Sequence, residues 1–406
     1  MKTGHFSRFM FRPIGVTLAL LLLGGCAVQP ISPPALSCAP SACPACPVCP
    51  VIEVPKPPAK PLAKAAWEAL PGWDGEDLAP AFSAFLGSCR TLQRRELWRD
   101  VCTAARSLEH SDNAALKAWF ETQLQPWQLI NPDGGSEGLV TGYYEPILKG
   151  SREHKTPYLN PVFGVPGDLI DVELGDLYPE LKHMRLRGRI VGRKLVPYFS
   201  RADWDKQEAK RGDETLLWVD DAIDLFFMQI QGSGQIQFDD GSRVRVSYAD
   251  QNGHPYRSIG RWLIDQGELK ADQASMQGIK SWAKAHPLRL QEMLNSNPSV
   301  VFFRELPATR EGPPGALGIA LTAERSIAVD ARFTPLGSPV WLSTSYPNSE
   351  RTLARLMLAQ DTGGAIRGPV RADFFWGSGA AAGAQAGKMR QKGQMWILMP
   401  HSFTPK

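Results

Sequence analysis

Histidine is scarce in this chain and never clustered. Seven histidines are spread over 406 residues, and none stands in a His-x-x-Glu-His, His-Glu-x-x-His or comparable ligand spacing. The pattern of a metal centre is therefore missing, and no metal or cofactor is expected. An excess of one charge is missing too. Once residues 1–25 are set aside, with Lys2, Arg8 and Arg12, 42 basic side chains face 41 acidic ones. Nucleic-acid affinity rests on many phosphate contacts, so a nucleic-acid partner is not expected. There is no GxxxxGK loop, and the glycines of Gln231-Gly232-Ser233-Gly234 lack the third of a dinucleotide fingerprint, because Gln237 stands in its place. Asp-Thr-Gly occurs once, at 361–363, whereas an aspartic protease needs two such motifs sharing a proton. No repeat of fixed period is present, and the longest apolar run near the start, Val16 to Leu23, is too short to span a bilayer.

That short run has a different use. It follows a basic segment and leads into Leu21-Leu22-Leu23-Gly24-Gly25-Cys26, the arrangement of a signal peptide ending at a lipid-attachment cysteine. Residues 1–25 are thus expected to be a lipoprotein signal peptide, with Cys26 acylated. Ala27 rather than Asp after that cysteine favours the outer membrane of a Gram-negative cell, with the protein facing the periplasm. Residues 26–66 are rich in Pro, Ala and Ser, cannot bury enough apolar surface to fold, and read as an extended tether. At about 3.1 Å per residue it would reach on the order of 100 Å from the membrane. Cys38, Cys43, Cys46 and Cys49 lie in it. In a polyproline helix the last three would line one edge roughly 9 Å apart, too far for a disulfide between neighbours. Cys89 and Cys102 are the candidates for a structural disulfide.

About 340 residues follow the tether, more than one core usually serves, so two domains are expected. From Trp67 to about Trp127 apolar residues recur at helical spacing. Thereafter short alternating runs separated by glycines read as strands: Gly138–Glu145, Leu216–Val219, Phe226–Gln231, Arg243–Tyr248, Val300–Phe303, Ile327–Ala331, Val340–Leu342, Leu356–Ala359, Arg371–Phe375 and Met395–Met399. Helical patterns return over Gly260–Gly267 and over Ser275–Ala285, the latter with Asp272 as candidate cap. Many short strands and few helices favour barrels over a doubly wound sheet.

Polar signal is densest near the end, in Asp361-Thr362-Gly363-Gly364-Ala365-Ile366-Arg367-Gly368 and Arg371-Ala372-Asp373-Phe374-Phe375-Trp376-Gly377. Each aspartate closes or interrupts a strand-like run, which would project a carboxylate into a cleft. Aromatic rings stand beside the acids, Tyr143 and Tyr144 before Glu145 and Phe374 to Trp376 after Asp373. Such rings can stack on sugar faces or simply fill a barrel core.

Five ordered motifs carry a resemblance. They are Gly142-Tyr143-Tyr144-Glu145-Pro146, Gln229 to Gly234, Asn252 to Gly260, Asn297 to Phe303, and Asp361 to Gly368 followed by Asp373. Together they closely resemble the membrane-bound lytic murein transglycosylase A family. The resemblance implies a mainly β fold with helices: a double-psi β-barrel domain from 67–145 and 307–402, which includes the N-terminal helices, and a second, inserted β-barrel domain from 146–306, with a glycan groove between them. It implies cleavage of the β-1,4 bond between N-acetylmuramic acid and N-acetylglucosamine in peptidoglycan without water, leaving 1,6-anhydromuramoyl ends. The family's catalytic aspartate falls on Asp373, and Asp361 becomes a supporting or pKa-tuning acid, or one that merely receives N–H bonds from its glycine turn. Substrate contacts are expected from Thr141, Gly142, Tyr144, Glu145, Gln231, Gly232, Ser233, Gly234 and Trp376. Arg371-Ala372-Asp373 stands where relatives often carry His-Phe-Asp, so the immediate neighbours of the acid differ here.

One carboxyl group can suffice because the attacking oxygen is the substrate's own C6 hydroxyl, which has an effective concentration that water lacks. To hold a proton near neutral pH, Asp373 needs a raised pKa, from burial against Phe374, Phe375 or Trp376 or from the Asp361 charge. The expected partners are glycan strands and, through the lipid, the membrane; wall-synthesis proteins are further candidates. Two other readings stay open, a glycan hydrolase with Asp361 or Glu145 as second base, and a peptidoglycan-binding lipoprotein without activity.

Overall fold

The computed structural model describes residues 60–405 apart from 109–110, 183, 208–211, 308 and 310. The signal peptide, Cys26, and the tether with Cys38, Cys43, Cys46 and Cys49 lie outside the described residues. The tether's expected end at residue 66 needs correction. Strand β1 (Leu62–Lys64) pairs antiparallel with β2 (Leu124–Leu129), Leu62 opposite Leu129. Leu62 packs against the apolar core there, so the last few residues of the expected tether are part of a sheet.

Three helices lie between these strands: α1 (Ala79–Leu92), α2 (Glu96–Ala105) and α3 (Asn113–Gln123). Their apolar faces meet in one core, with Phe82, Phe85 and Leu92 from α1, Trp98 and Val101 from α2, and Leu116, Trp119 and Phe120 from α3. Cys89 of α1 and Cys102 of α2 are joined by a disulfide inside this core. Cross-linking so short a loop restricts the unfolded chain, a gain of about 3 kcal/mol. The helical pattern expected to run to Trp127 stops at Gln123, because Leu124–Leu129 is drawn into the sheet by β1 on one side and by the last strand on the other.

Strand β3 (Gly138–Glu145) follows. The next stretch supplies β4 (Ile147–Ser151), β5 (Asn160–Phe163), β6 (Ile170–Val172), β7 (Leu186–Val191), β8 (Lys194–Pro197), α4 (Arg201–Trp204), β9 (Thr215–Val219), α5 (Ala222–Gln231), β10 (Ser233–Gln237), β11 (Arg243–Gln251), α6 (Ile259–Asp265), α7 (Met276–Ala285), α8 (Leu290–Asn295) and β12 (Val301–Pro307). The chain closes with β13 (Ser326–Val329), β14 (Pro339–Ser345), β15 (Thr352–Asp361), β16 (Arg371–Ser378), α9 (Ala380–Ala386) and β17 (Arg390–Pro400).

Six of these strands close on themselves. The order β17-β14-β15-β13-β16-β3 returns to β17, which also carries β2 and β1 on its far stretch. The pairs β13–β15 and β3–β16 are parallel, the second joining strands distant in sequence, and the others antiparallel. Val140, Ile327, Val329, Leu342, Met357, Ala372, Phe374 and Met395 fill one cluster inside. Residues alternating with them along each strand therefore face outward. The segment between β3 and β13 forms a second six-stranded sheet, β12-β11-β10-β4-β9-β5, whose outer strands β5 and β12 approach each other around Leu148, Val162, Leu217, Ile236, Val246 and Phe303. A small sheet, β6-β7-β8, stands apart from it. The fold is mainly β with helices.

Two local expectations fail. Phe226–Gln231 is the second half of α5, not a strand. Asp221 caps that helix by accepting from the Ile223 and Asp224 amides at 2.8 and 2.9 Å, and Gly232 ends it at φ +79°. Helix α7 is capped by Ser275, which accepts from the Gly278 amide at 3.2 Å, rather than by Asp272.

Candidate active site

Five neighbouring barrel strands bring one row of residues into register. Asp361 of β15 lies opposite Ala328 of β13, Ala328 opposite Asp373 of β16, Asp373 opposite Thr141 of β3, and Thr141 opposite Arg390 of β17. A register shift between Ile327 and Ala328 is needed for this, because it advances the pairing by one residue so that Asp361, not Gln360, meets Ala328. Gln360 instead turns into the protein and bonds Ser326, Ser88 and the Ala84 carbonyl. The row faces outward, since Val140, Ala372 and Phe374, next in sequence, point into the barrel core.

Around Asp373 the polar contacts are few. The Thr141 hydroxyl donates to its Oδ1 at 2.6 Å, and Arg371 Nη2 in turn donates to Thr141 Oγ1 at 2.9 Å. The Thr141 hydroxyl thus accepts from the arginine and donates to the carboxylate. Burial pushes the Asp373 carboxyl up; the Thr141 bond and the Arg371 charge pull it back and the Asp361 charge adds a little, leaving it at about 6. Burial likewise lowers Arg371 from its usual value, with the Asp373 charge opposing. Asp361 is also raised by burial, against bonds from the Thr362 amide, the Ala316 amide and Tyr143. Those three occupy both its oxygens: the two amides reach Oδ1 at 2.9 and 3.0 Å, and Tyr143 donates to Oδ2 at 3.0 Å. Tyr143 packs on Phe375 with ring centres 5.1 Å apart, and Leu321, Ala328 and Ile366 complete this apolar lining of the outer face.

Residues 139–304 match the MltA specific insert domain and residues 325–399 the 3D domain. Membrane-bound lytic murein transglycosylase A of Escherichia coli K12 is 33% identical over 283 residues, 68% of this chain and 69% of the relative. The chain belongs to the membrane-bound lytic murein transglycosylase A family. A crystal structure of MltA from Neisseria gonorrhoeae superposes with a TM-score of 0.75 at 37% identity, covering 86% of this chain and 97% of that one. Escherichia coli MltA with bound chitohexaose gives a TM-score of 0.63 at 26% identity, covering 84% of this chain and 94% of that one.

Several residues that the family resemblance marked as substrate-binding face elsewhere. Trp376 lies two positions past Phe374 and so shares its inward face, where its indole N–H points at Met389 Sδ at 3.3 Å. Tyr144 is buried in the same cluster with its hydroxyl on Met276 Sδ. Gly142 is a packing glycine, because a Cβ there would come within 2.7 Å of the Trp376 indole nitrogen. Glu145 is fully buried and accepts from Arg245, Gln235 and Ser378, a structural ion pair and not a groove acid. Gly234 is buried against Met228. Gln231 spends its side-chain oxygen on the Tyr144 amide at 3.0 Å, tying the end of α5 to β3. Gly232 and Ser233 stay partly exposed beside it. Of the expected contacts, Thr141, Asp361 and Asp373 share the outer row; Tyr143 and Arg371 join them and were missed as site residues. The strand period could have found Tyr143, since it shares Thr141's face while Tyr144 takes the other.

Proposed function

We propose that this protein is a peptidoglycan lytic transglycosylase that cleaves the β-1,4 bond between N-acetylmuramic acid and N-acetylglucosamine, with Asp373 acting first as acid and then as base. Glycan would lie along the outer face of the barrel, against the inserted domain of about 146–306. Protonated Asp373 gives its proton to the glycosidic oxygen as the C1–O bond breaks. The resulting carboxylate then takes the proton of the muramoyl C6 hydroxyl as that oxygen closes on C1. No water enters, and the acid is returned to its starting state. Thr141 occupies Oδ1, so the transferred proton belongs on Oδ2.

The observation that carries this reading over hydrolysis is the state of the other acids. A hydrolase needs a second carboxylate to activate water or attack the sugar. Asp361 is held by two amides and a phenol, and Glu145 is sealed in an ion pair. The names of the relatives, and the chitohexaose bound to one of them, support a β-1,4-linked amino-sugar substrate. Cys26 would anchor the chain to the outer membrane, facing the periplasm; among the described residues no helix is long and apolar enough to cross a membrane.

The test is replacement of Asp373 by Asn with analysis of the products from purified peptidoglycan by mass. Loss of anhydromuramoyl products by about 10²- to 10⁴-fold in a folded variant is expected of a general acid. From the unaltered protein, products heavier by about 18 mass units would show hydrolysis instead, and binding without any release would show a non-enzymatic wall tether.

A further inference from the structure

The barrel's outer face continues past the proposed acid into a cationic hollow with an apolar floor. One residue-pair along from the Asp373–Thr141–Arg390 row lies a second row on the same face, Arg371–Leu139–Lys392. Leu139 is 40% exposed and is ringed by three cations, Arg371, Arg390 and Lys392. Glu137, Gly138, Leu139, Arg390, Gln391 and Lys392 line a hollow of about 410 Å³ there. Arg371 is committed to Thr141 and to the Leu139 and Ala372 carbonyls. The Arg390 guanidinium has no acidic partner among the described residues. Lys392 meets Glu137 at 3.6 Å, but both side chains are mostly exposed and such a pair is weak enough to exchange.

Resting on the function proposed above, we infer that this hollow is a subsite for the anionic peptide stem of the muramoyl unit being cleaved. Each N-acetylmuramoyl residue carries, on a lactyl ether, a peptide with small apolar side chains and free carboxylates. Arg390 stands two strands from Asp373, about 10 Å at the usual strand spacing, the reach of such a stem from a sugar seated at the acid. Leu139 would meet the methyl groups, and Arg390 and Lys392 the carboxylates. Glu137 at the rim opposes the stem and offsets part of the attraction.

The experiment uses the full-length protein in detergent and two probes, peptidoglycan with its stems and the same glycan stripped of them by an amidase. It measures the ratio of kcat/KM on the two. The double variant Arg390→Gln, Lys392→Gln should lower that ratio about three- to tenfold, as expected for two exposed ionic contacts, and Glu137→Gln should raise it. Added salt should shrink the wild-type ratio, because these contacts are screened. A ratio unchanged in the double variant, with its melting temperature intact, overturns the subsite while leaving the transglycosylase standing. Absence of anhydromuramoyl product from both probes with wild-type protein overturns the function, and the subsite with it.

Discussion

Two aspartates attached to neighbouring barrel strands have been given opposite surroundings. Asp330, just past β13, accepts from the Arg332 amide, from Arg332 Nε and Nη2, and from the Gly368 amide. Burial alone would raise its carboxyl, but the Arg332 side chain and the amides overcome it and hold the group at about 2. Asp373, on the strand paired with β13, has one hydroxyl donor, and its arginine acts at one remove through Thr141; burial wins there, at about 6. Glu145 resembles Asp330 in having its bonds fully made, by Arg245, Gln235 and Ser378. Asp330 is surrounded by donors that keep it charged, and Asp373, the proposed acid, is left short of them.

The largest test of this contrast is Glu145→Ala. It leaves Arg245 buried without its carboxylate, and a loss of about 3–5 kcal/mol in urea unfolding is expected. A loss under 1 kcal/mol would mean that the pair is not structural. Next come the two aspartates, whose Asn variants should move stability in opposite directions. Asp330 is depressed in the folded state, so its contribution is present above about pH 4 and lost as pH falls through about 2. Asp330→Asn should therefore destabilise the protein at pH 7 by on the order of 2 kcal/mol. Asp373 is raised, so its ionisation penalises folding as pH rises from about 4 through 6. Asp373→Asn should stabilise at pH 7, by on the order of 1–3 kcal/mol, with the gain gone below about pH 4. Chemical denaturation at pH 4 and 7 checks both, and shifts of the same sign would refute the distinction.

The smallest effect is on the pH profile. With Asp373 required in its protonated form, kcat/KM should fall as pH rises through about 6. Arg371 draws that carboxyl downward, so Arg371→Gln should move the falling limb to higher pH. A limb that stays in place would mean that the Arg371–Thr141 contact does not govern the acid.

Much of this was readable from residue order, and the failures have physical causes. Strand β3 has the bounds that its alternation and flanking glycines suggest, and both terminal aspartates lie on strands. Phe226–Gln231 misled because a stretch of six residues is too short for its period to separate a buried helix from a buried strand. Its true signals were at the ends, Asp221 and Gly232. Trp376 and Tyr144 misled because aromatic rings near an acid suggest sugar, whereas the pleat puts them one residue out of phase with Asp373 and Thr141. The alignment of Asp361 with Asp373 was out of reach of any local pattern, because it depends on a bulge at Gln360 where β15 pairs with a third strand, β13.

One consequence follows from the parallel pairing of β3 with β16. The hydroxyl that touches the proposed acid comes from 232 residues earlier in the chain, and the strand between the two aspartates is supplied later still than the insert. Contacts of such separation form late, since a very large loop must close before they give any return. A complete but unfolded chain thus contains every motif and none of the chemistry. The capacity to cut the wall arises only when β3 and β16 finally meet.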